Sequence, residues 1–274
     1  MIRRAGLAVA ALGFALAAGA ETKPREIPED YRMAVSTASQ RGIAMFMHDV
    51  SAARASDELM ERKVFERDPR LEGWITELIA DRMLVEVDFI GTEDGKPAIL
   101  YRVEVPVGDS KPKFQALKPS LPLTESQQAR WTARQLAAAE LNKRKDLCAR
   151  QYNSVVISPD PAPDGLIHVY MLAATSEPGV VVAGGHYRYD YSPDGKILES
   201  ERAFTKSCFN IEAPDPKKGK PVAFMVTHLL DPTPTEIHVF LSRLHGQSIY
   251  VMTDAGNWLV AGPEISFLEP GEKK

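Results

Sequence analysis

Six histidines, His48, His168, His186, His228, His238 and His245, and two cysteines, Cys148 and Cys208, carry most of the chemistry open to this chain. A catalytic zinc site needs three ligands close in space, and a short motif usually announces two of them. Neither His-Glu-x-x-His nor a Cys-x-x-Cys pair is present. His238 and His245 would stand about 10 Å apart along a helix at 1.5 Å per residue, too far to share one ion. His168 and His228 lie in apolar runs, where a hydrogen-bonded core histidine is the usual outcome. A metal is reachable only if His168, His186 and His228 converge from neighbouring strands of one sheet. No cofactor is expected.

The stretch Gly184-Gly-His-Tyr-Arg-Tyr-Asp-Tyr-Ser-Pro-Asp-Gly195 sets His186, Arg188 and Asp190 on one alternation and Tyr187, Tyr189 and Tyr191 on the other. With Glu236, His186 and Asp190 are the candidate acid–base groups. The structural reading is a hairpin strand with a wet polar face and a packed aromatic face, and it is preferred. A four-residue loop, Ser192–Gly195, places Tyr191 opposite Lys196, Arg188 opposite Glu199, His186 opposite Glu201 and Tyr189 opposite Leu198. A three-residue loop with Gly195 in a bulge shifts that register by one. The first register leaves more cross-strand pairs in agreement, and Gly184 and Gly185 allow a kink at the strand entrance. Nucleophile motifs are lacking. There is no Gly-x-Ser-x-Gly, and Ser110-Lys-Pro-Lys113 matches Ser-x-x-Lys but contains Pro112 where a helix would have to begin. Gly179–His186 has the outline of a phosphate loop without its lysine.

The elements that must hold these residues begin after residue 20. Met1-Ile-Arg-Arg4, an apolar run from Ala5 to Ala18, and Ala18-Gly-Ala20 compose a secretory signal peptide cleaved between Ala20 and Glu21. The run is shorter than the roughly 20 residues of a membrane-spanning helix. Its removal leaves 254 of 274 residues and, by loss of Arg3 and Arg4, moves the net charge from −4 to −6. An acidic exported chain without a basic patch argues against nucleic acid as a partner. No second long apolar segment predicts a membrane span. Export favours a Cys148–Cys208 disulfide over free thiols.

Glu21–Asp30 reads as a flexible leader and residues 21–107 as an N-terminal α+β part. Ile43–Met47 is strand or helix, and Ser51–Arg62 is a helix that Ser51 could cap. Trp74–Leu78, Met83–Ile90 and Ala98–Val107 are strands, the last two joined at Asp94-Gly95. Residues 108–123, rich in proline and lysine, read as a linker. The C-terminal part, 124–274, opens with a helix under a Thr124/Gln127 capping box, burying Ala129, Ala133, Leu136, Ala137 and Leu141. Strands follow at Leu166–Ala174, Val180–Tyr191, Ile197–Phe204 and Val222–Leu230. A short helix spans Thr235–His245 and ends at Gly246, and a hairpin covers Ile249–Thr253 and Trp258–Ala261. Antiparallel hairpins with a few packing helices make an α+β fold, the two parts forming one domain or two.

The segments Val180–Arg188, Ser207-Cys208 and Thr227–Ser242, together with His48–Asp57, resemble a family of uncharacterised exported bacterial proteins. The resemblance spans most of the mature chain. It implies export and one shared architecture, and carries across no activity, ligand or catalytic residue. The expectation is a soluble periplasmic or secreted protein with a binding or structural role in the cell envelope, its partner an envelope protein or a small molecule. A metal-dependent hydrolase built on the strand histidines, with Asp231 or Glu236, is the alternative.

Overall fold

The computed structural model describes residues 24–157, 165–175, 177, 179–212 and 223–270. The expected signal peptide and its Ala20/Glu21 cleavage point therefore lie outside the described residues.

Helix α1 (Glu29–Glu61) is 33 residues long, about 50 Å at 1.5 Å per residue. It absorbs both Ile43–Met47 and Ser51–Arg62, so Ser51 is an interior residue and the expected leader already turns helical at Glu29. The short helix α2 (Val64–Arg67) follows. A four-stranded antiparallel meander then forms from β1 (Leu71–Ile79), β2 (Leu84–Glu93), β3 (Lys96–Pro106) and β4 (Lys113–Pro122). Asp94 and Gly95 take φ of +50° and +75°, the left-handed pair that a tight β2–β3 hairpin requires. The expected linker at 108–123 is incorrect: Lys113–Ala116 and Leu121–Pro122 pair with β3 on either side of a bulge. The prolines and lysines that suggested a loop belong to an edge strand, where both residue types discourage further pairing.

Helix α3 (Glu125–Lys143) begins as expected, Thr124 Oγ1 accepting from the Gln127 amide while Gln127 Oε1 accepts from the Thr124 amide. Its Ala129, Ala133, Ala137 and Leu141 are buried, but Leu136 is exposed and Trp131 takes the buried place. A second antiparallel sheet has the order β5 (Gln151–Ile157), β6 (Ile167–Ala174), β8 (Tyr187–Tyr191), β9 (Leu198–Ala203). The expected continuous strand from Val180 to Tyr191 breaks at the glycine pair. Its first part, β7 (Val180–Val182), pairs instead with β10 (Asn210–Glu212).

In the third sheet, β11 (Phe224–Thr227) lies parallel to β12 (Ile249–Thr253), which pairs antiparallel with β13 (Gly256–Ala261) and that with β14 (Glu264–Pro270). Parallel neighbours require a crossover, and α4 (Glu236–His245) supplies it, closing at Gly246 in the left-handed conformation. Arg25 bridges to Phe267 of β14, anchoring the segment read as free leader.

One core joins α1 and α4 to the second and third sheets through Met45, Tyr170, Val239, Phe240, Val251 and Trp258. The last turns of α1, with Ala55 and Leu59, cover the first sheet at Val87, Phe89 and Val103. Helix α1 thus packs on elements from both expected halves, and α4 crosses it where Gly42 meets Val239. The fold is α+β.

Candidate functional site

The β8–β9 hairpin differs from both anticipated registers. Arg188 faces Arg202, Tyr189 faces Glu201 and Asp190 faces Ser200, with a bulge before Tyr191↔Leu198. The cause is the loop. Ser192 Oγ donates to Asp194 and accepts from the Ile197 amide, which organises a longer turn than Pro-Asp-Gly alone suggests.

The tyrosine face packs as expected, Tyr187, Tyr189 and Tyr191 lying beneath the alanines of α3. The polar face is not wet. His168, His186, Asp190 and Glu236 are between 1% and 5% exposed, because that face is turned toward α1 and α4. Asp190 Oδ1 accepts from His168 Nδ1 at 2.6 Å, and Oδ2 accepts from Ser200 Oγ at 2.5 Å and from Arg188 Nη2 at 3.1 Å. Arg188 Nη1 donates to Glu236 Oε1 at 2.8 Å, which also accepts from Tyr170 Oη at 3.1 Å. Arg41 of α1 reaches His168 Nε2 at 2.9 Å. A guanidinium only donates, so Nε2 accepts and Nδ1 carries the proton given to Asp190.

Beside this, Asp231 Oδ2 accepts from Arg202 at 2.6 Å and from His228 Nε2 at 2.7 Å. The His228 ring meets His238 edge to face, centroids 4.9 Å apart. Three arginines (Arg41, Arg188, Arg202) and three carboxylates (Asp190, Glu236, Asp231) are therefore gathered with His168 and His228 where the second sheet meets α1, α4 and the loop after β11.

Burial would raise the Asp190 carboxyl, but the His168 hydrogen bond, the Arg188 charge and the Ser200 hydroxyl outweigh it and hold it far below the usual range. Burial, followed by the Glu236 charge, pushes the Tyr170 phenol well up. Ser200 spends its proton on Asp190, and Arg41 occupies His168 Nε2, so this set holds no serine activated by a free imidazole.

His186 stands apart in function. Its Nδ1 accepts from the Ala173 amide at 3.1 Å and its Nε2 donates to Val182 O at 3.1 Å, tying the strand kink to β6. His238 Nδ1 accepts from the Thr235 amide, so it serves as the third residue of a capping box. His48 bonds Thr76 Oγ1 at 2.8 Å beneath the first sheet. His245, at the end of α4, is lowered by burial. Among the described residues no group of three His, Cys, Asp or Glu side chains is arranged to hold a metal ion, so His168, His186 and His228 do not form the cluster their strands might have built.

Cys148 and Cys208 form the expected disulfide, closing a separation of 60 residues. It lies on the glycine pair: a Cβ at Gly185 (φ +80°) would fall 2.3 Å from Cys148 Cβ, and one at Gly184 would fall 2.7 Å from Ser207 O. These glycines admit both a kink and a covalent crossing.

Two pH effects follow. Burial lowers His48 and His186 to about 4 and His238 to about 3, with Arg130 adding to the first and His228 to the last. The unfolded chain takes up these protons near pH 6.5 while the folded one refuses them. The urea midpoint is accordingly expected to fall as pH drops from about 6.5 to 4, and a flat midpoint over that interval would contradict it. Asp49 has the opposite sign. Burial raises it to about 6 against the Asn153 hydrogen bond, so its cost begins near pH 4 and is complete above about 6. Asp49→Asn should therefore stabilise by about 1–2 kcal/mol at pH 7, the gain vanishing toward pH 3.8 in denaturant titrations.

His228 also lines a surface groove of about 270 Å³, between Phe204–Phe209 on one side and Met225–Leu230 on the other. Its Nε2 is bound to Asp231, and its Nδ1 has no hydrogen bond among the described residues. Sequence reasoning picked out His168, His186, Asp190, His228 and Glu236; of these the structure gathers His168, Asp190 and Glu236 into one hydrogen-bonded network and sets His228 in the separate Asp231–Arg202 group beside it. It missed Arg41, Tyr170, Ser200 and Arg202, whose partners are 29 or more residues away except for the Ser200–Asp190 pair, which only the correct hairpin register discloses.

No helix among the described residues is long and apolar enough to cross a membrane. Comparison with family models, with curated proteins and with solved structures found no match to this chain.

Proposed function

We propose that the protein is an exported binding protein of the bacterial envelope, without chemistry of its own, and that it binds an extended peptide segment along β11. Export is supported by the signal-like residues 1–20, by the disulfide and by the resemblance to exported proteins. The binding reading is supported by the way the polar network spends its groups on one another, which leaves the groove beside it as the open surface.

The observation that carries the reading is the edge of β11. The amides of Phe224 and His228 donate to Ser248 and Met252, so by alternation those of Met225 and Thr227 point away from β12, into the groove. No hydrogen bond from either amide occurs among the described residues. Three other edges are guarded: β4 by Lys113, Lys118 and Pro119, β9 by Glu199, Glu201 and Arg202, β14 by the Arg25 bridge. Phe224-Met-Val-Thr227 has neither charge nor proline. Outward backbone groups that have no partner among the described residues, beside Phe204 and Phe209, suit a strand whose backbone pairs with β11 and whose apolar side chains enter the groove.

Hydrogen exchange tests this. In the free protein the Met225 and Thr227 amides should exchange fast and Val226 and His228 slowly. A blocked hexapeptide of alternating valine and threonine should protect Met225 and Thr227. Thr227→Pro removes an outward N–H and leaves the β12 ladder intact, so it should abolish that protection. Protection that persists in the proline variant, or none at any peptide concentration, would refute the reading.

A further inference from the structure

A second concavity, of about 620 Å³, lies between α1, the end of β3 and α4, within the roughly 300–1,000 Å³ of ligand pockets. Its wall is apolar: Ile43, Phe46, Met47 and Val50 along α1, with Pro106 at the end of β3 and Val107 just beyond it. Val107 is 47% exposed, so an apolar side chain is left facing solvent at this place.

Two arginines frame it. Arg54 gives its guanidinium to three backbone carbonyls, Pro106, Gly108 and Ser110, which fix its position, and it forms no ion pair among the described residues. The Arg243 guanidinium of α4 sits 4.8 Å from the Phe46 ring centroid and forms no ion pair among the described residues. Against these two cations the lining has one carboxylate, Asp109. An apolar trough with a cation held at its mouth by an aromatic ring selects a ligand with the matching halves.

We propose that this trough is a binding site for a long-chain monocarboxylate of the fatty-acid type, its chain along Phe46, Met47 and Val50 and its carboxylate on Arg243. The site is separate from the β11 groove, and the inference does not rest on peptide binding.

The test is calorimetric titration of the disulfide-intact protein with dodecanoate below its micellar concentration, with dodecanol and dodecyltrimethylammonium as comparisons. Dodecanoate should bind saturably at one site, dodecanol more weakly and the ammonium not at all. Arg243→Gln, a change at an exposed side chain, should weaken dodecanoate about tenfold and leave dodecanol unchanged, as loss of one charge-assisted contact requires. Val50→Trp should fill the trough and remove both, and Thr227→Pro should alter neither. Equal binding of acid and alcohol with no effect of Arg243→Gln, binding that survives Val50→Trp, or no binding of dodecanoate would each overturn the proposal. So would co-sedimentation with phosphatidylglycerol vesicles that Val50→Trp abolishes while free dodecanoate goes unbound, because the face would then be a membrane-docking surface.

Discussion

Asp190→Ala should lower stability by about 3–5 kcal/mol at pH 7, the range expected when one partner of a buried charge network is removed. The carboxylate receives His168, Arg188 and Ser200, and it is 3% exposed. Without it Arg188 retains only Glu236, and the His168 Nδ1 proton loses its acceptor in a place water does not reach. Ser200→Ala deletes one hydroxyl donor and should cost about 1 kcal/mol, so the ratio of the two losses reads the charge rather than the contact count. The pH dependence has a definite sign. A carboxyl held below its unfolded value contributes fully above about pH 4, and that contribution is lost as pH falls toward its folded value. The difference in urea midpoint between wild type and Asp190→Ala should accordingly be constant from pH 8 to 5 and shrink below 4. A loss under 1 kcal/mol at pH 7 would mean that water or side-chain rearrangement replaces the carboxylate.

This network also settles a choice that hydrophobicity leaves open. Strand β8 has tyrosines on one face and His186, Arg188 and Asp190 on the other, and a slip of one residue would exchange them. With Arg41 and Glu236 waiting on α1 and α4, and a wall of alanines on α3, only one orientation pairs the charges and packs the rings. Buried charge here contributes to a unique register as well as to stability.

The sequence disclosed the hairpins, both later helices and the disulfide because each has a local signature: Asp94-Gly95, the Thr124/Gln127 box, Gly246, and a single pair of cysteines. Helix α1 was hidden for a physical reason. Its buried stripe includes Ala38, Gly42, His48, Ser51 and Ala55, residues small or polar enough to let α4 and two sheets approach closely, and they give no hydrophobic period. Strand β4 was hidden by the prolines and lysines that protect its edge. The site was half legible. Asp190 and Glu236 stood out as charges in apolar surroundings, but only topology shows that Arg188 links them and that their face is covered. His186 was misleading, since a histidine that bonds two backbone groups looks, in sequence, like one that performs acid–base work.

The disulfide and the glycine pair should prove energetically coupled. Replacing Cys148 and Cys208 together by serine frees a loop of 60 residues, which the chain-entropy account values at roughly 4 kcal/mol. Gly185→Ala carries two separate costs. Holding an alanine at φ +80° costs about 1–2 kcal/mol, and its Cβ must displace Cys148, whose own Cβ would lie 2.3 Å away, for about 1–3 kcal/mol more. The second cost exists only while the bridge pins Cys148 above the glycine. In the serine pair the 148 segment can move aside, so Gly185→Ala should then cost little beyond the backbone term. The triple variant is expected to be more stable than the sum of its parts by about 1–3 kcal/mol, measured as a double-mutant cycle by urea unfolding. Strict additivity would show that the segment carrying Cys148 is held against β8 by something other than the bridge. The Tyr152 hydroxyl, which accepts from the Cys148 amide at 3.1 Å, would be the group to remove next.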